Sequence, residues 1–233
     1  MIVRHTAIAL ALLSAACGSA MAHTVVQTQV TEGATTYNNL VIGHGCTLAD
    51  GSKQPVIAQS VVFPTIKPTA AVTAGAWAGP DDVFSITSLA GVGKLVQSRD
   101  IFAKQSSKLD AKGNVIGFTS LDGSLDTSMT GLVPFRTAGI SFKPNACATK
   151  LIVKLAVADI CQKNGARNLW IPALTPKFND PKVDGIGAAP SLIFNRDLVK
   201  NPLPASCGTG YELTLTPSAE DIDANLPIPG YLD

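Results

Sequence analysis

Apolar and polar positions alternate along most of this chain, and period-two alternation is the signature of half-buried strands. Residues 24–30 set Val26, Thr28 and Val30 on one face. Further strands are predicted at 37–42, 56–63, 83–87, 94–97, 115–119, 132–135, 140–142, 150–158, 191–194 and 211–216. Gly, Pro and Asp punctuate the gaps, and residues 110–114 (DAKGN) read as a hairpin turn. Residues 67–80 are rich in Pro, Ala and Gly around Trp77 and read as a loop, as does the tail 217–233. No stretch holds helical periodicity over three turns. Many short strands between turn residues predict an all-β chain folded as an antiparallel β-sandwich.

The first 22 residues break this pattern. Arg4 is followed by an apolar run from Ala7 to Ala16, and the segment ends Ala20-Met21-Ala22. A basic start, an apolar middle and an A-x-A ending describe a secretory signal peptide, so the mature chain is expected to begin at His23. Leu13-Ser14-Ala15-Ala16-Cys17 is a poor lipobox, because Ser14 stands where leucine is usual. The mature chain is expected in the periplasm or secreted. With Arg4 gone, 17 basic residues face 17 acidic ones and the formal charge is zero. No block of like charge exists, which argues against nucleic acid or an anionic membrane surface as partner. No later apolar run reaches about 18 residues, so no membrane span is expected after cleavage.

Cys46, Cys147, Cys161 and Cys207 survive cleavage, and an even number in an exported chain reads as two disulfides. Residues 150–158 read as one strand rising about 3.3 Å per residue. Cys147 and Cys161 lie at its opposite ends and should not pair, since bridged Cα atoms lie within roughly 7 Å. The other two connectivities stay open on the residues alone.

Two histidines remain in the mature chain, His23 and His44. Three imidazoles cannot converge, which excludes a three-histidine catalytic zinc site. No G-x-S-x-G elbow accompanies them. An N-terminal histidine offers one metal ion its α-amine and its imidazole Nδ1, a nitrogen pair suited to Cu(II). An α-amine ordinarily titrates near 8 and an imidazole near 6.5, so such a chelate should release metal as pH falls through about 6 to 5. His44, between two glycines and beside Cys46, either reaches metal or lets two backbones approach. Met129 is the single mature methionine, too little for thioether capture of Cu(I). Asp81 and Asp82, and Glu32 after the first strand, are candidate carboxylates, although acids in such places are more often solvated turn residues than ligands. Trp170 reads as core packing on its own.

Three stretches together resemble the YcnI-like copper-binding domain of exported bacterial proteins: His23 at the new terminus; Ile42-Gly43-His44-Gly45-Cys46, similar to a P-H-G-C motif, with residues 55–64 after it; and residues 153–161, Trp170 and Ala189-Pro190-Ser191-Leu192. The match covers 23 to about 66 and 150 to about 195. Residues 90–145 match nothing in the family and read as an inserted or extended middle segment of a domain spanning 23–216.

The resemblance implies an Ig-like β-sandwich that binds Cu(II) through a single-histidine brace. It implies His23 as the chelating residue, Trp170 as the neighbouring indole, and a carboxylate that no motif here marks, for which Asp81 and Asp82 are the candidates. It favours Cys46–Cys161 with Cys147–Cys207. The expected function is a non-catalytic periplasmic copper-binding protein for acquisition, delivery or protection, with a periplasmic or inner-membrane copper-transport partner. The rival is a copper-dependent oxidative enzyme of the polysaccharide monooxygenase type, using His23 and His44 as a two-histidine brace. Low aromatic content, 6%, counts against its flat aromatic substrate surface. A third reading is a structural or adhesive module without metal.

Overall fold

The computed structural model describes residues 23–65, 67–73 and 91–233. The expected signal peptide, the predicted strand at 83–87, Trp77, Asp81 and Asp82 lie outside the described residues. The chain is all-β, as the alternation predicts, and forms a sandwich built on a five-stranded antiparallel sheet. That sheet runs β14 (Arg167–Trp170), β13 (Ala156–Ile160), β6 (Ala58–Val62), β10 (Val115–Gly123) and β9 (Phe102–Leu109). A four-stranded sheet runs β1 (Val25–Val26), β3 (Thr36–Ile42), β11 (Gly131–Thr137) and β8 (Gly93–Leu95). Another of five runs β2 (Val30–Thr31), β15 (Ser191–Asn195), β12 (Ala148–Lys154), β16 (Tyr211–Thr216) and β7 (Thr69–Val72). The short ribbon of β4 (Cys46–Thr47) and β5 (Lys53–Gln54) completes the set.

One core takes Leu40 and Phe135, Leu151 and Phe194, and Val61, Phe118 and Trp170 from the three larger sheets. The β6 sheet is buried on its other face as well. Ala58 and Val62, Ala156, Ala158 and Leu169 meet Ile222, Leu226, Ile228 and Leu232 there. Double coverage explains why β6 and β13 are buried at every position, Gln59, Ser60 and Asp159 included. The tail that supplies this cover is not irregular throughout. Residues Ala219–Asn225 form helix α1, started by Ser218, whose side chain accepts from the Asp221 amide, with Glu220 and Asp221 in the first turn. Seven residues are too few to show three turns of periodicity.

Four other expectations change. Residues 24–30 make two strands in different sheets. Buried Asn38 causes the break: its Oδ1 accepts from the Thr28 amide and its Nδ2 donates to the Thr28 carbonyl, so a side chain replaces the ladder. Residues 150–158 divide at Leu155 into β12 and β13 of different sheets, although Leu151, Val153, Leu155 and Val157 all reach the same core. The period never falters while the chain turns from one layer to the other. Residues 67–80 contain β7, an edge strand paired with β16, and 140–142 is no strand.

The middle segment is woven into the body of the fold, with β10 between β6 and β9 and β11 between β3 and β8. The sandwich is also not wholly antiparallel, since β12 pairs β16 and β15 pairs β2 in parallel. Both disulfides follow the favoured pattern, Cys46–Cys161 with Cα atoms 6.0 Å apart and Cys147–Cys207 with 5.2 Å.

Candidate functional site around Trp170

The segment just before β1, the turn before β4 and the end of β14 meet at one place. Trp170, at the end of β14, points inward and is 1% exposed. The His23 imidazole stacks on its indole, with ring centroids 5.1 Å apart and planes 29° apart. The His44 imidazole meets the same indole edge-on, 6.0 Å between centroids and 80° between planes. The site residues found here are therefore His23, His44 and Trp170. Glu32 belongs elsewhere: its carboxylate accepts from the Phe142 and Asp197 amides and from Asn201 Nδ2.

Local sequence fixes each part. Gly45 is required by a close approach, because a Cβ there would lie 1.9 Å from the Gln54 carbonyl oxygen across the β4–β5 ribbon. The Cys46–Cys161 bridge then ties this turn to the residue following β13. His44 Nδ1 lies 2.5 Å from the Gly45 carbonyl oxygen. A carbonyl can only accept, so Nδ1 carries the proton and Nε2 presents the lone pair in the neutral ring. His44 Nε2 is 4.0 Å from Asp184 Oδ2, on a loop whose Gly185, with φ of +99°, packs against Trp170.

At the N–H edge of the indole lies a carboxylate that is not among the expected site residues. Asp159 on β13 is 0% exposed. Thr24 Oγ1 and Trp170 Nε1 both donate to its Oδ2, at 2.5 and 2.6 Å, and Gln59 Nε2 donates to its Oδ1 at 2.8 Å. Burial pushes its carboxyl above the ordinary carboxylate range, opposed by these three hydrogen bonds and by the nearby His44. A signal for it existed. Leu151, Val153, Leu155 and Val157 are inward at every second residue, and the next member of that series is Asp159. An acid at a core-facing position must be partnered.

A copper ion can be tested against these donors. Among the described residues no three His, Cys, Asp or Glu side chains converge to hold a metal ion, so a site of side chains alone does not fit. A chelate from an α-amine and its own imidazole needs one side chain, and His23 can supply it once residues 1–22 are removed. Among the described residues its Nε2 is buried without a hydrogen-bond partner. The nitrogen donors at this end fit a borderline ion such as Cu(II).

No family model matches the chain, and no curated protein matches it. Among solved structures it is similar to an uncharacterized protein from Nocardia farcinica whose crystal structure reveals an immunoglobulin-like fold. Identity is 12%, over 74% of this chain and 98% of that one, with a TM-score of 0.38. At that level the likeness says nothing about the site.

Proposed function

We propose that this chain is an exported copper-binding protein of the YcnI-like kind, acting in copper acquisition, delivery or protection without catalysis. The observation that carries the reading is the His23 imidazole stacked on the Trp170 indole. Removal of residues 1–22 would expose an α-amine beside that imidazole, and the pair would chelate Cu(II). The indole would close one side of the ion and keep water from it. Asp81 and Asp82, outside the described residues, remain candidates for the carboxylate. Asp184, facing His44 at the same end, is a further one. Adding a single residue ahead of His23 removes the primary amine and leaves the fold alone. Cu(II) affinity by calorimetric titration should then fall at least about a hundredfold, about 2.7 kcal/mol. Equal affinities would end the proposal.

The two-histidine reading draws on one observation, that both imidazoles border the same indole. It requires His44 Nε2 to join the ion. Oxygen consumption by the copper-loaded protein with ascorbate would favour it, and a His44→Ala variant that binds Cu(II) as tightly as the parent would exclude it.

A further inference from the structure

We infer that Asp159 is a positioning residue that seats the start of the exported chain, its Oδ2 tying Thr24 and Trp170 together so that His23 rests on the indole. The consequence for metal rests on the copper reading; the seating itself does not.

His23 has little of its own to hold it. Among the described residues its Nε2 has no hydrogen-bond partner, and the strand that follows it, β1, is two residues long and pairs there with β3 alone. A chain start attached so briefly would be expected to fray. Thr24 is nevertheless 1% exposed, and its hydroxyl donates to a carboxylate 135 residues away in sequence. The same carboxylate oxygen fixes the indole through Trp170 Nε1. Two neighbours that must keep a constant separation, residue 23 and ring 170, thus share one anchor atom. Gln59 holds the other oxygen, which stops the carboxylate from turning. The anchor sits on β13, in the interior of the doubly covered sheet. A ligand pair held by such a rigid element meets a metal with less ordering left to do.

The test uses the chain beginning at His23, with Thr24→Val to delete the hydroxyl at nearly constant shape and Thr24→Ser to keep it. In metal-free protein, NMR reads two signals: the His23 ring protons, shifted by the indole ring current, and the Trp170 indole N–H. Thr24→Val should move the His23 ring protons towards their random-coil positions and leave the indole N–H in place. Cu(II) affinity should fall about tenfold. Thr24→Ser should restore both, and Asp159→Asn, which keeps an acceptor oxygen, should resemble it. Unchanged His23 shifts in Thr24→Val would overturn the seating. Shifts that move without any change in Cu(II) affinity would overturn its link to the metal. Parent protein that binds no Cu(II) would defeat the copper reading while the ring-proton result still decides the seating.

Discussion

The two faces of the β6 sheet each hold an ionisable side chain, Asp159 fully buried and Lys108 half-buried, and they do so in opposite ways. On the inner face Asp159 is met by three side-chain donors, among them the residue that follows His23 and the indole of the candidate site. On the outer face Lys108 reaches under the C-terminal tail. Its Nζ donates to Ser60 Oγ at 2.8 Å and to the carbonyls of Asn225 and Pro227, with no carboxylate among these partners. The first arrangement joins distant parts of the chain at a place where rings converge. The second fastens the end of helix α1 to the sheet, where a cation suits the exposed carbonyls. A buried carboxyl held by side chains organises a site; an amine held mainly by main-chain carbonyls fastens an element.

Substitutions can separate the two roles. Asp159→Leu should be the most damaging, because it strands three buried donors at once. At about 1–3 kcal/mol per unpaired group, the loss should be about 4 kcal/mol in urea unfolding. Asp159→Asn should cost under about 1 kcal/mol, since Gln59 Oε1 is itself buried without a partner and a turned Gln59 amide could accept from the new Nδ2.

On the outer face, Leu226 is 0% exposed against the sheet. Leu226→Ala should cost about 3 kcal/mol and leave Cu(II) affinity unchanged. A loss of copper binding in that variant would mean that the two faces are not independent.

The Lys108 amine gives a pH signature. Burial pushes it down to about 8 from 10.5, so between those values the unfolded chain holds more protons and stability rises with pH. Between about pH 7.5 and 9.5 the gain should be about 2 kcal/mol, and Lys108→Met should flatten the curve. Asp159 has the opposite sign. Its raised carboxyl contributes stability that is complete below 3.8 and lost as pH rises through the folded value. Unfolding curves from pH 3 to 7 should therefore differ in slope between the parent and Asp159→Asn. Smallest of all, Thr24→Val should cost about 1 kcal/mol.

Much of this was legible in the chain, and the parts that were not have physical reasons. The alternation in β3 and the run in β6 declared themselves, and so did the β9–β10 turn. Strand β9 did not, because FAKQSSKL is the edge of its sheet and edges are kept polar and charged to prevent further pairing. The break at Leu155 left no mark, since both halves of the run face one core. At the site, His23, His44 and Trp170 were picked out by residue type and by likeness. Asp159 carries no such mark, because it lies inside an apolar run, whereas Asp81 and Asp82 stand in a Gly-Pro stretch of the sequence. The unbroken period through Val157 pointed to it, and an inward acid is a demand for partners that the sequence states without naming them.

The central claim, that one Cu(II) ion sits between the amino terminus at His23 and the Trp170 indole, has a direct optical test. Protein beginning at His23 and carrying Trp77→Phe has Trp170 as its single tryptophan, which excitation at the red edge of the absorption band reads apart from the tyrosines. Titrating Cu(II) should quench that emission with a sharp end point at one equivalent, and Zn(II) at the same concentrations should quench it far less. Tight binding of one Cu(II) that leaves the Trp170 emission unchanged would contradict the account.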